Sequence, residues 1–506
     1  MTNDALVETP YGTVRGADSG PVSVWKGIPY AQPPVGKLRF HAPRPPERWS
    51  GVREALAFSP VAPQDTAHLN SLARTLGAET ARQAPISEDC LYLNIWSPRA
   101  DAKKRPVLVW IHGGSFLIGS GSQPDYDGTR FAMQGDVVVV TLNYRLGVLG
   151  FLHLTELAGE AYASSGNLGL FDQIAALRWV RENIAAFGGD PNTVTIFGES
   201  AGATSVGSLL AMPEARGLFQ RAILQSGAAQ NLQQKEAAST NARAFLEILG
   251  LGTDKLASLH DLPLETLLAA QSTLLTKNPP GVTRPVVDNR DIPELPVQAI
   301  ARGAAKDVAV LIGTNRDEVK LFLSDASASP RDPSIVQRVL GGRAMEVFGT
   351  YAAAHPGADR REVELDMFTD YTVRIPAIRL AEAQAQHAPV WMYRFDWPSP
   401  NPQFGACHAL EIPFVWNTLE TSMFRGLIGS NPPNQLARRM HASWIAFAHT
   451  GNPNTPSLPD WPAYDQDRRA TMLFAEQCSV ADDPQGAERA VWGSVLSYRS
   501  ADDAGH

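Results

Sequence analysis

The run Gly198-Glu199-Ser200-Ala201-Gly202 sets a serine between glycines at minus two and plus two, and no other serine in the chain is so placed. It follows a β-like run, Val194–Phe197, and precedes a helix-like stretch, Ala203–Met212. A serine on so tight a strand-to-helix turn is held with its hydroxyl exposed. The flanking glycines let strand and helix approach where larger side chains would collide. Such a hydroxyl is suited to attack on an acyl carbon. Glu199, beside it, either tunes the site or bonds the local backbone.

That attack needs a base for the hydroxyl proton and a carboxylate to orient the base. A histidine of ordinary acidity is mostly neutral at pH 7, so the rate should rise through roughly pH 6 to 7 as the base loses its proton. The acid candidates are Asp317 and Glu318, which follow the strand-like run Val308–Ile312. The base candidates beyond them are His355, His387, His408, His441, His449 and His506. Spacing alone chooses neither acid nor base. An oxyanion hole is read from His112-Gly113-Gly114-Ser115, where small residues let backbone N–H groups face a developing negative charge. The N–H of Ala201, after the serine, adds a donor.

These groups need elements to converge them. Short apolar runs at Val107–Ile111, Val137–Leu142, Val194–Phe197, Ala222–Gln225, Val308–Ile312 and Val390–Phe395 read as parallel strands. Ile174, Leu177, Val180 and Ile184 recur at helical spacing, and that segment ends at Gly188-Gly189-Asp190-Pro191. The stretch Val7–Tyr30 alternates around Gly12 and Gly20 and reads as an antiparallel meander. Alternating strand and helix imply a mostly parallel sheet covered on both faces, with reactive groups at the strands' carboxyl ends. The expectation is an α/β-hydrolase fold, in which the order is serine, acid, histidine. It carries the N-terminal meander and large insertions, elaborated as one domain over residues 1–506.

The 506 residues are 44% hydrophobic and 19% charged, an ordinary folded composition without low-complexity tracts. A net charge of −8 and the absence of a basic stripe argue against nucleic acid. No apolar run is long enough to span a bilayer. Met1–Ala5 has neither a basic nor an apolar stretch, so no secretory leader is expected and the chain is read as cytoplasmic. The three cysteines, Cys90, Cys407 and Cys478, fit no metal spacing and read as buried thiols. Neither metal nor cofactor is expected. The partner is a small-molecule ester, and the chain is read as a monomer or small homo-oligomer.

Longer motifs carry a resemblance. Phe187–Gly202, Ser87–Trp96, Lys26–Ala31, Asn143–Gly147 and Gly451–Asn454 resemble the signatures of type-B carboxylesterases and lipases, in the style of bacterial para-nitrobenzyl esterases. The resemblance covers nearly the whole chain and implies serine hydrolysis of carboxylic esters through an acyl-enzyme. Its acid, in a Gly-x-Asn-x-Asp-Glu stretch, falls on Glu318, and its base, before Ala409–Phe414, falls on His408. Its oxyanion donors fall on Gly114, Ser115 and Ala201, with Gly113 shaping the turn. Ser115 stands where a third glycine is common, and this implies a narrower acyl side. Arg39 with Glu88 and Arg145 with Asp172 resemble the family's buried ion pairs. Extracellular members pair the cysteine at position 90 with one upstream, but residues 61–89 contain no cysteine. They also contain no Trp, Tyr or Phe, so the quaternary-ammonium site of cholinesterases has no counterpart there. Neutral esters with short to medium acyl groups and aromatic alcohols are the expected substrates. Two other readings stand beside it: a non-catalytic adhesion module, as in neuroligins, which lack the serine that this chain has at Ser200, and amide or carbamate cleavage, which the same triad residues would serve.

Overall fold

A computed structural model describes residues 4–18, 20–65, 85–229, 232–277, 281–323 and 340–495. Thirteen strands form one mixed sheet among these residues. Strands β1 (Asp4–Thr9), β2 (Gly12–Asp18) and β3 (Ser23–Pro29) form the expected antiparallel meander, with β4 (Val52–Glu54) alongside β2. Strand β5 (Tyr92–Ser97) joins β3 to β7 (Val138–Leu142) by antiparallel pairing on both sides.

The parallel centre then runs β7 (Val138–Leu142), β6 (Arg105–Ile111), β8 (Gly189–Glu199), β9 (Arg221–Gln225), β12 (Ala309–Asn315), β13 (Val390–Phe395) and β14 (Ala470–Phe474). An antiparallel β15 (Ser479–Asp482) closes the far edge. Two short strands, β10 (Gln233–Gln234) and β11 (Val286–Val287), pair separately.

The six apolar runs read from the sequence all lie in this centre. The reason is visible in β6, which is buried along its whole length. Val107, Val109 and Ile111 enter one core, while Leu108 and Trp110 enter the other. With both faces covered, polar alternation has no advantage and the run is continuously apolar. Strand β12 extends beyond its apolar run because Gly313, Thr314 and Asn315 still pair with Tyr393, Arg394 and Phe395. Ladder bonds use backbone groups, so the polar side chains do not end it.

The helix read from Ile174, Leu177 and Val180 spans Leu168–Asn183 and closes through a tighter turn, Ile184–Phe187. Gly188 follows with φ 86°, a conformation glycine adopts without penalty. Arg39 forks onto Glu88 at 2.7 and 2.6 Å, and its remaining nitrogen donates to the carbonyls of Leu259 and Leu262. Arg145 grips Asp172 through its backbone N–H, Nε and NH2 at 3.0, 2.8 and 2.7 Å, and donates from NH1 to the carbonyl of His41. These pairs tie the N-terminal region to the sheet. All three cysteines are free. No helix among the described residues is long and apolar enough to cross a membrane.

Candidate active site

Strand β8 ends at Glu199, and the next helix spans Ala201–Ala211, leaving Ser200 alone at the turn. Its backbone is left-handed, φ 57° and ψ −118°, a conformation that costs a non-glycine residue about 1–3 kcal/mol. The glycine spacing has its expected cause. A Cβ on Gly202 would stand 2.0 Å from the carbonyl oxygen of Ile111, and one on Gly198 would stand 2.6 Å from the backbone of Gly202. Bulk at either position would push strand and helix apart. The serine amide donates to the carbonyl of Gln225, which fixes the turn against β9.

The loop after β6 lies against this turn. A Cβ on Gly113 would meet the Glu199 carboxylate at 2.8 Å and the Ser200 Cβ at 3.3 Å. Gly114 turns with φ 107°, and its carbonyl accepts from Leu117 and Ile118. Ser115 is exposed and also left-handed, φ 58°. Among the described residues, the N–H groups of Gly114, Ser115 and Ala201 have no acceptor. The loop is braced from behind. His112 stacks on Tyr144 with ring centroids 4.4 Å apart, and burial pushes its imidazole down to about 4. Gln64 clamps the far end, donating to the Gly119 carbonyl while accepting from its N–H.

Glu318 follows β12 and is wholly buried. One carboxylate oxygen accepts from the Asn315 N–H at 2.8 Å, and the other meets His408 Nδ1 at 2.6 Å. The adjacent acid points elsewhere. Asp317 accepts from the Ala406 N–H and pairs with Arg316 and Lys320. The other described base candidates are committed to partners elsewhere. His355 meets Glu488, while His387, His441 and His449 meet the carbonyls of Ala301, Val415 and Gly135. His506 lies outside the described residues. The structure therefore gathers Ser200, Glu318, His408 and the Gly113–Ser115 loop at one edge of the sheet, past the ends of β8, β12, β13 and β6.

Glu199 Oε1 stands 3.0 Å from His408 Nε2. The distance is that of an ion pair, but the angle is not that of a hydrogen bond, and both atoms lack a directed partner. Burial pushes the His408 imidazole down, but the charges of Glu199 and Glu318 outweigh it and lift the group to about 9. Burial lifts Glu199 to about 8, against the opposing pull of His408. The expectation of an ordinary histidine titrating at roughly pH 6 to 7 is corrected accordingly: two facing carboxylates hold the proton on more tightly.

A polar support lies beneath. Glu411, buried and pushed up by that burial, accepts from Gln225 Nε2 at 3.0 Å and Asn315 Nδ2 at 2.6 Å. Trp444 donates to Gln225, and Asn315 also donates to the Cys407 carbonyl beside the histidine. Sequence reasoning passed over this network, although a glutamate inside the apolar run Leu410–Phe414 is a signal that could have found it. Gln64 offered no such signal.

A model of the carboxylesterase family matches residues 3–492. The chain belongs to the carboxylesterase family. This carboxylesterase is 46% identical over 494 residues to the para-nitrobenzyl esterase of Bacillus subtilis (strain 168), covering 96% of this chain and 97% of that one. It is 35% identical to the cocaine esterase of Homo sapiens, with 91% and 85% covered. Among solved structures, the Geobacillus stearothermophilus carboxylesterase at pH 6.2 superposes with a TM-score of 0.87 at 47% identity, over 96% of this chain and all of that one. A para-nitrobenzyl esterase superposes with a TM-score of 0.87 at 44% identity, over 96% and 99%. The fold is that of an α/β-hydrolase, and the chain is a serine carboxylic-ester hydrolase.

Proposed function

We propose that Ser200 attacks the ester carbonyl, with His408 as base and Glu318 as the acid that orients it. The observation that carries this reading is the Glu318–His408 contact of 2.6 Å beside a serine held at φ 57°. His408 Nε2 takes the Ser200 proton as the hydroxyl adds to the carbonyl. The tetrahedral oxyanion lies on the N–H groups of Gly114, Ser115 and Ala201, with Gly113 keeping the loop close. His408 returns the proton to the leaving alcohol, and water then repeats the sequence on the acyl-enzyme. Glu199 stabilises the imidazolium from the side opposite Glu318.

Neutral esters are the substrate class. The charge effects that raise His408 come from the acidic groups Glu199, Glu318 and Glu411, and these give an anionic ester no cationic partner. Phe322, 41% exposed, lies with its ring 5.1 Å from the imidazole and offers apolar surface where the alcohol departs. That surface suits aromatic alcohols, and the Ser115 side chain at the loop tip suits short to medium acyl groups. The chain acts as one domain over 1–506, in the cytoplasm, as a monomer or small homo-oligomer. A panel of p-nitrophenyl butyrate, a long-chain p-nitrophenyl ester, butyrylcholine and a polycarboxylate ester tests the substrate class. The butyrate should give the highest kcat/KM, and a higher value for butyrylcholine or the polyanion would overturn it.

A further inference from the structure

A cleft of 620 Å³ opens at the other edge of the sheet, where β9 and β12 begin. The helix that starts beside Ser200 ends there. Its eleven residues separate the cleft from the nucleophile, a span of about 16 Å at the helical rise. This cavity lies apart from the candidate site, and its volume is in the range of small-molecule sites.

Its walls have a definite chemistry. Leu209, Leu210, Phe219 and Ala305 supply a buried apolar floor. Arg216, Arg302 and Lys306 stand at the mouth with Glu294 and Asp307. Arg302 is paired with Glu294. Among the described residues, Arg216 and Lys306 have no carboxylate partner, so the lining carries one positive charge in excess on a chain of net charge −8. Glu294, Asp307 and the carbonyl end of the helix would repel a second negative charge. The lining therefore fits an apolar body with a single negative head, and a guanidinium presents the fork that a carboxylate matches.

We propose that this cleft binds a singly charged amphiphilic carboxylate, its tail on Leu209, Leu210, Phe219 and Ala305 and its head between Arg216 and Lys306. Acids of this class are what ester hydrolysis releases, so the enzyme's own reaction supplies the ligand.

The test uses enzyme first inactivated with an organophosphonate, so that the catalytic pocket is filled. Calorimetric titration with octanoate should show one equivalent bound. The doubly reversed Arg216→Glu, Lys306→Glu enzyme should bind at least about tenfold more weakly, the loss expected for one charge-assisted hydrogen bond. Ala304→Trp, which fills the cleft from its half-buried wall, should abolish binding. Both variants should retain melting temperature and turnover of p-nitrophenyl butyrate before inactivation. Octanol and octylammonium should bind more weakly than octanoate. Four outcomes would overturn the proposal: no saturable binding to inactivated enzyme, binding that survives both variants, equal binding of octanol or octylammonium, or equal binding of octyl sulfate. None of them touches the assignment of Ser200.

Discussion

Two buried acid–base pairs in this molecule differ in what they leave unused. Arg145 and Asp172 saturate each other with three bonds, and the remaining guanidinium nitrogen is taken by a carbonyl. Glu318 and His408 share one short bond, yet among the described residues Nε2, the facing Glu199 oxygen and the N–H groups of Gly114, Ser115 and Ala201 lack directed partners. Both pairs pay the desolvation of charge. The first is closed and fixes structure, while the second is held open beside the strained backbone of Ser200. Unfilled hydrogen-bonding capacity, more than burial or charge, separates the pair proposed to act on Ser200 from the structural one.

The largest effect expected from breaking the open pair is at the nucleophile. Ser200→Ala should lower kcat on the order of 10⁴ to 10⁶ while leaving the melting temperature unchanged. His408→Ala and Glu318→Gln should each cripple acylation, and the double variant should fall far short of the product of the two losses. Asp317→Asn should keep turnover within a few fold, because its carboxylate is spent on Ala406, Arg316 and Lys320. A kcat collapse in Asp317→Asn would reverse the choice of acid.

Breaking the closed pair should act on stability alone. Arg145→Met leaves Asp172 buried and unpaired, a loss of about 3–5 kcal/mol. Denaturant melts would measure it, and an unchanged pH–rate profile in the surviving folded enzyme would separate it from the site.

A smaller effect concerns Glu199. As the proposed base, His408 must be neutral to accept the serine proton, and the facing carboxylates raise its proton affinity. The acid limb of kcat/KM should therefore lie above the ordinary histidine value of about 6.5, with activity lost as pH falls through it. Glu199→Gln removes the strongest of the raising charges while burial remains. The limb should then move to lower pH, and a limb that stays in place would remove Glu199 from the account. The smallest expected effect is none at all: reductant should not shift the melting temperature, and three thiols should titrate in denaturant.

How much of this was legible depended on whether a feature is local. The Gly198–Gly202 elbow and the continuous apolar strands are local consequences of steric contact and burial, and they could be read directly. Glu318 and Asp317 are neighbours, so their divergence depends on Ala406 and Lys320, which spacing does not show, and the preference for Glu318 came only from the family resemblance. The choice of His408 among several histidines needed that resemblance too. Gln64, Gln225 and Trp444 stayed invisible because each acts across long sequence separations through ordinary side-chain bonds. The raised affinity of His408 was missed for the same reason: it comes from carboxylates brought close only by the fold.

Acyl transfer to Ser200 leaves a covalent mark that can be read during turnover. Rapid acid quench during turnover of p-nitrophenyl butyrate, followed by peptide mass mapping, should place a butyryl group on Ser200 and on no residue of the Ser200→Ala enzyme. A butyryl group on another residue, for instance the buried and left-handed Ser226, would contradict the account, as would a burst of nitrophenol with no acyl adduct.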